Sequence, residues 1–484
     1  MKRLAVVISL VLFVLAGPTA HARLSGGDKS KIKKWLATYL ELMTAKSADR
    51  AGAYEELSKF FADKRKRGDL AGVEDLAELL AHSMVRDSGR TGTVLEGEWT
   101  FKKDFGQDVH GRFSYAINVP KKYSGSERSE AWPLIVCLPD KGESPTDYLD
   151  SHWANKAIRD KYLIAVLGFD YADITVEKTK TVTEDGKIRI EKYKEKVPFS
   201  WIGDGREWPL VRFWRTIVLL QLRDYKVDPN RIILEGNGVG ATGALVFASD
   251  AAWRFSGVLV RGGEDDRATL QNLAGLRVLS YPAPAATEAS KKTVESLKGI
   301  AGDGFTAAAD APAWSAAASD AGGEELTKWL DGCTRNRYPV PSKWVRLDPA
   351  QQIGYWCAIN EVHLADQPAE LSIETDKRKN KLLITATNVA KFDIFLNDML
   401  LNLDKPIELY VNEELVDTVT VERSPDQLLS HLFKSAPRDP GAVFTAELLG
   451  LTIDAPEAEE GEGGDEDKPE DGGGDKPEDG DKDE

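Results

Sequence analysis

The sequence predicts an α/β protein: a doubly wound sheet of buried strands, with a helical module before it and an all-β, sandwich-like domain after it. Three observations predict this. Short continuous apolar runs, "WPLIVCLPD", "YLIAVLGFD", "RIILEG", "FSGVLVRGG" and "LRVLSYPA", recur through the middle of the chain. Runs of that length without alternation are what strands covered on both faces require. Helical stretches such as "WPLVRFWRTIVLLQLRDY" separate them, and the alternation of strand and helix implies crossover connections in a parallel sheet. Finally, the texture before residue 90 has helical spacing, and the texture after about 340 alternates apolar with polar residues.

In chain order, residues 1–22 begin with Lys2 and Arg3, continue through a short apolar run and end with Ala20 and Ala22. That pattern is expected of a secretory signal peptide cleaved after Ala22, giving a secreted or periplasmic protein. Residues 23–90 form the expected helical module. In "KIKKWLATYLELM", Ile32, Trp35, Leu36, Tyr39, Leu40 and Met43 share one face, and "YEELSKFFADKRKR" and "GVEDLAELLAHSMV" repeat the pattern, so three helices are expected. His82 on the last of them reads as a partly buried helix residue. Residues 91–337 hold the α/β domain. "TVLEGEWTFK" and "GRFSYAINVP" open it as an antiparallel pair, and a charged insertion at about 171–198 is expected to form a hairpin or flap over the sheet's C-terminal edge.

Residues 338–454 are the β domain. "AELSIETD", "KLLITATNV", "FDIFLND" and "PIELYVNEELVDTVTVE" alternate, with "VNEEL" as a hairpin turn. Residues 455–484 carry fifteen acids and three lysines, a net of −12 within the chain's −16. They contain no aromatic and no aliphatic residue larger than alanine apart from proline, too little apolar surface to offset ordering entropy, so disorder is expected. A solubilising tail and a binder of basic partners or divalent cations both fit this composition. The rest of the chain is only mildly acidic, which disfavours nucleic acid as a partner. No second stretch is apolar for long enough to span a bilayer. Three cysteines make no disulfide framework: Cys137 reads as a core residue, and pairing of Cys333 with Cys357 is left open.

The stretch "RIILEGNGVGATGALVF", residues 231–247, reads as a buried strand, a sharp glycine turn and a helix. With "FSYAINVPKKYS", "AWPLIVCLPDKGE", "LRDYKVDPNRIILEGNGVGATGAL" and "RFSGVLVRGG" around it, about half of the chain resembles the α/β-hydrolase superfamily. It looks most like secreted esterases of the polyhydroxybutyrate-depolymerase type and the catalytic domains of prolyl-oligopeptidase-like peptidases. The resemblance implies a nucleophile elbow, G-x-S-x-G, at Gly236, Asn237, Gly238, Val239 and Gly240. The outer glycines are there, and glycine stands where the serine belongs. Gly238 has no side chain with which to attack a carbonyl, yet it adopts unusual backbone angles at little steric cost.

The partners that the resemblance implies are missing too. No carboxylate stands from Ser280 to Thr287, Glu288 being the first, and "FTAAADAPAWSAAASDA" holds no histidine. Of the remaining histidines, His110, His152, His363 and His431 match no family position for the base. Where the family has a His-Gly-rich turn, this chain has Pro139, Asp140, Lys141 and Gly142, and a carboxylate at Asp140 would oppose a developing oxyanion.

The same glycines also fit a dinucleotide fingerprint, Gly236-x-Gly238-x-x-Ala241, with Glu264, Asp265 and Asp266 after the next strand. Against it, the fingerprint normally opens its domain, whereas several strands precede this one. No spaced Cys/His set or HExxH suggests a metal, and no cofactor is expected. Asp140, Asp170, Asp173, Glu264, Asp265 and Asp266 read as solvated loop acids or as a cation or sugar site at the sheet edge. Trp208 and Trp214 read as core, while Trp201 in "PFSWIGDG" is placed in the cleft. The candidate vestigial cleft thus comprises Asp140, Lys141, Trp201, Asn237, Gly238, Val239, Glu264 and Asp265. The expectation is an exported hydrolase homologue that has lost serine chemistry and binds a small molecule, carbohydrate or peptide, or scaffolds a protein partner. Its rivals are an esterase or peptidase using other residues, and a dinucleotide-binding protein.

Overall fold

The computed structural model describes residues 25–40, 47–66, 91–101, 111–125, 130–168, 174–184, 187–197, 225–263, 269–281, 288–307, 320–347, 351–424 and 444–454. The expected signal peptide, the third N-terminal helix with His82, the helix over 208–224, the acidic tail, His110 and His431 lie outside them. So do Asp170, Asp173, Trp201, Trp208, Trp214, Glu264, Asp265 and Asp266.

Helices α1 (Gly26–Leu40) and α2 (Ser47–Lys66) follow the predicted periodicity, burying Ile32 and Leu36 on one and Leu57 and Phe61 on the other. Trp35 meets Phe60 with ring centroids 5.8 Å apart.

The α/β domain is built on eight strands: β1 (Thr93–Phe101), β2 (Gly111–Val119), β3 (Trp132–Leu138), β4 (Leu163–Leu167), β7 (Val227–Asn237), β8 (Gly257–Arg261), β9 (Arg277–Tyr281) and β10 (Phe305–Ala307). Their order across the sheet is β1-β2-β4-β3-β7-β8-β9-β10. β1 with β2 and β2 with β4 are antiparallel; every later pair is parallel. The entry hairpin and buried strands stand where the apolar runs predict them. Between β4 and β7, the strands β5 (Ile174–Glu184) and β6 (Lys187–Val197) pair with each other as a separate ribbon, the predicted hairpin in the charged insertion. Their sequences, "ITVEKTKTVTE" and "KIRIEKYKEKV", lack the continuous apolar runs of the central strands.

Side-chain alternation sorts the sheet into two faces. Leu134, Val136, Leu138, Ile232, Leu234, Val258 and Val260 belong to the core shared with helices α5 (Val239–Asp250) and α6 (Glu288–Ala301). Ile135, Cys137, Ile233, Leu259 and Leu279 belong to the other core, closed by helices α3 (Pro145–His152), α4 (Lys156–Arg159) and α7 (Asp320–Asp331) through Tyr148, Leu149, Ile158, Leu326 and Trp329. Helix α5 is buried from Gly240 to Asp250 and is mostly apolar, with Thr242, Ser249 and Asp250 as its polar residues.

The C-terminal domain packs a five-stranded sheet, β11-β13-β14-β16-β17, with a three-stranded sheet, β12-β15-β18. These are β11 (Ser342–Arg346), β12 (Cys357–Val362), β13 (Ala369–Asp376), β14 (Lys381–Thr387), β15 (Val389–Leu396), β16 (Ile407–Val411), β17 (Glu414–Val419) and β18 (Ala446–Thr452). Asn412 and Glu413 turn the "VNEEL" hairpin with φ of 48° and 72°. A two-residue turn with both φ positive matches the right-handed twist of its flanking strands.

One apolar cluster runs from the α5 face of the sheet into this domain. Polar clasps sit beside it: Asn272 exchanges two hydrogen bonds with the Val345 backbone, both 2.8 Å, and Gln351 Nε2 donates to Asp250 Oδ1 at 2.8 Å. Cys137, Cys333 and Cys357 are all buried and form no disulfide. Among the described residues, no helix is long and apolar enough to cross a membrane.

Candidate functional site: an elbow filled by a carboxylate

β7 ends and α5 begins at the glycine turn. Gly238 has φ 54° and ψ −118°, a conformation that side-chain-bearing residues occupy only under strain. Its N–H donates to Arg261 O at 3.0 Å, which ties the turn to the neighbouring strand end. Gly240 is glycine for a different reason: a Cβ there would collide with Leu138 O and Pro139 O, so strand β3 and the start of α5 touch backbone to backbone. The turn therefore keeps the sharp strand-to-helix geometry of a nucleophile elbow.

What fills it comes from the loop after β3. A Cβ on Gly238 would overlap Cγ, Oδ1 and Oδ2 of Asp140. Asp140 Oδ1 accepts the Val239 N–H at 3.0 Å and the Lys141 N–H at 2.8 Å. The Val239 amide follows the elbow residue directly, so it is the donor that an acyl-transfer site would aim at an oxyanion. Here it holds a carboxylate of the protein itself. The loop is latched a second time, because Glu143 Oε2 accepts the Asp140 N–H at 2.9 Å and Asn237 Nδ2 at 3.3 Å. Ser144 then caps α3, accepting the Asp147 N–H at 3.1 Å.

Asp140, Lys141, Asn237, Gly238 and Val239 of the expected cleft thus converge. Trp201, Glu264 and Asp265 lie outside the described residues, as do residues 282–287 and 308–319, where the family's acid and base would stand. The sequence reading set Asp140 against an oxyanion; its side chain in fact sits on the oxyanion donor. The dinucleotide reading requires open ground above Gly236 to Ala241. At Gly238 that ground is taken by the Asp140 side chain, and at Gly240 by the Leu138 and Pro139 carbonyls, all acceptors that disfavour a pyrophosphate.

Beneath the elbow, on the α3 face of the sheet, lies a cluster that sequence reasoning missed. Glu235 is fully buried, and its Oε1 meets Arg261 at 2.9 Å and accepts the Tyr148 hydroxyl at 2.6 Å. Arg261 also donates to the Tyr148 oxygen at 3.1 Å. Burial pushes the Glu235 carboxyl upward, while the Arg261 cation and the Tyr148 hydroxyl pull against it. Burial likewise raises Tyr148 and Cys137 well above their ordinary ranges. His152 stacks on Tyr148 at 4.2 Å between ring centroids, lies 3.9 Å from Glu143, and is pushed down to about 3 by burial and by Arg261. A signal for the cluster was present: a carboxylate inside the apolar run "RIILEG", and an arginine closing the next run, "VLVR". A charge in a buried strand needs a partner, and adjacent strand ends supply it.

No known family model matches this sequence, and no curated protein matches it. Solved structures of hydrolases do. A thermostable esterase is 17% identical, with a TM-score of 0.35, over 50% of this chain; the chain spans 63% of that esterase. An S-formylglutathione hydrolase from Agrobacterium tumefaciens is 11% identical, with a TM-score of 0.35, covering 51% of this chain and 98% of its own. A fluorophosphonate-binding serine hydrolase from Staphylococcus aureus is 10% identical, with a TM-score of 0.30, covering 50% and 99%. The assignment itself rests on the strand order, the single antiparallel hairpin that opens the sheet, and the backbone angles at Gly238. The central domain of this chain has an α/β-hydrolase-like fold.

Proposed function

We propose that this is an exported hydrolase-fold protein that has given up serine-hydrolase chemistry and serves to bind or scaffold. The observation that carries the reading is Gly238 at the elbow: the backbone conformation is kept, and the side chain that would form an acyl-enzyme is gone. Acyl transfer through this turn needs a nucleophile, a base to take its proton and an open set of amides for the oxyanion. The turn supplies no nucleophile. The stretches that match the family's base and acid carry no histidine and no carboxylate before Glu288. The Val239 amide is engaged by Asp140. Export rests on the basic start and apolar run of residues 1–22, and a carbohydrate, peptide or protein partner suits the aromatic and acidic composition of the segments that follow the buried strands, with Trp201, Glu264 and Asp265 among them.

The test is a fluorophosphonate probe on purified protein, run beside an active esterase under the same conditions. The expected result is no stoichiometric labelling and no esterase turnover above a heat-denatured control. Full labelling of one serine, mapped by mass spectrometry, would overturn the reading in favour of a hydrolase using other residues.

A further inference from the structure

We infer that Asp140 is a built-in occupant of the Val239 amide: an internal carboxylate that closes the elbow's anion-binding position. The inference rests on the elbow reading above and adds what governs access to that site. Four observations converge. The carboxylate lies where a side chain at position 238 would project, so it occupies the nucleophile's space as well as the oxyanion donor. Its Oδ1 takes two backbone N–H groups, Val239 at 3.0 Å and Lys141 at 2.8 Å, the arrangement in which backbone amides favour an anion over a neutral group. The loop carrying it is clamped from the far side by Glu143, which binds both the Asp140 N–H and Asn237 at the end of β7. Gly142, with φ 84°, lies between Asp140 and Glu143, a position where the chain can reverse without side-chain strain.

The loop is therefore held by one internal carboxylate on the elbow and one on the strand end. Opening the site requires the Asp140 side chain to leave, and anything that then binds the Val239 amide competes with a tethered carboxylate. Tethering gives that carboxylate a high effective concentration, so an untethered carboxylate cannot displace it at ordinary concentrations.

Chemical rescue tests this. Asp140→Gly removes a group equivalent to acetate and leaves the amides in place. The variant is expected to melt below the wild-type protein. Sodium acetate is expected to raise its midpoint saturably, by mass action on the folded state, while sodium chloride at equal ionic strength does not and the wild type responds to neither. Asp140→Asn, which keeps the size and removes the charge, is expected to be less stable than wild type and indifferent to acetate. A folded Asp140→Gly without acetate rescue would overturn the inference, as would a wild type that gains as much from acetate as the variant. If Asp140→Gly does not fold, Asp140→Asn decides: stability equal to wild type would show that the amides do not hold a charge. A serine labelled by the fluorophosphonate probe would sink the functional reading and leave the rescue intact; missing rescue would sink this inference and leave the labelling result untouched.

Discussion

Two carboxylates flank the end of β7, and their surroundings differ completely. Glu235 is sealed inside the sheet's α3 face against a cation and a phenol. Asp140 sits half-buried on top of the elbow and is held by backbone amides. The first makes the strand ends a fixed platform, since Arg261 reaches from β8 to β7 and Tyr148 ties in α3. The second occupies the space over Gly238 and the Val239 amide at the end of that platform. A buried ion pair is costly to break from one side, because the remaining charge has neither water nor partner. A carboxylate on amides near solvent can be replaced by another anion or by water. The difference teaches that the elbow's frame and the elbow's occupancy are separable properties of this molecule, and substitutions can address one without the other.

The largest effect is expected from breaking the frame. Glu235→Ala strands Arg261 in the core and should cost about 3–5 kcal/mol of unfolding free energy. Replacing the set together, by Glu235→Leu, Arg261→Met and Tyr148→Phe, should recover most of that loss, since an apolar set of similar volume carries no desolvation cost. Denaturant unfolding of the two variants checks this. Equal losses in both would mean that packing, and not stranded charge, dominates.

Next comes the occupancy. Gly238→Ser forces a side chain into strained backbone, about 1–3 kcal/mol, and also drives Asp140 off its amides. Combining it with Asp140→Gly should cost less than the two single losses summed, and a double-mutant cycle reads that coupling. Neither variant is expected to hydrolyse esters efficiently, because the stretch "FTAAADAPAWSAAASDA" holds no histidine to serve as a base. Turnover near that of an active esterase, abolished by substituting one histidine or carboxylate, would reveal a hidden base.

A smaller effect links the two regions through His152, which lies between Glu143 of the loop and Tyr148 and Arg261 of the frame. Its folded value is depressed from 6.5 to about 3, so the unfolded chain takes up the proton first as pH falls. The stability it contributes is present above pH 6.5 and is lost progressively from 6.5 toward 3. Melting midpoints at pH 7.5 and pH 5 should therefore differ less in His152→Gln than in wild type; an unchanged difference would exclude the imidazole as the cause. The smallest effect is expected from the acidic C-terminal segment. Deleting residues 455–484 should leave the midpoint nearly unchanged, since that composition contributes no core, and a large drop would mean that the acidic tail docks on the folded body.

The division between sequence and tertiary structure is physical. The runs "WPLIVCL", "LIAVL" and "GVLVR" are apolar because their strands are covered on both faces, so the order of buried strands is legible from local pattern alone. The elbow is legible for the same reason: Gly236, Gly238 and Gly240 report close backbone approach and an unusual turn, constraints that a short segment carries by itself. That position 238 itself offers no nucleophile can also be read, because glycine has no side chain with which to attack. Tertiary structure alone decided where Asp140 points. Position 140 is separated from 238 by nearly a hundred residues, and a carboxylate after a strand is equally compatible with a solvated loop. Only the packing of β3 beside β7 brings it within 3.0 Å of the Val239 amide. The Glu235–Arg261–Tyr148 cluster was undecidable in the same way, since one charge in an apolar run announces that a partner exists and only the register of neighbouring strands and the approach of α3 determine which.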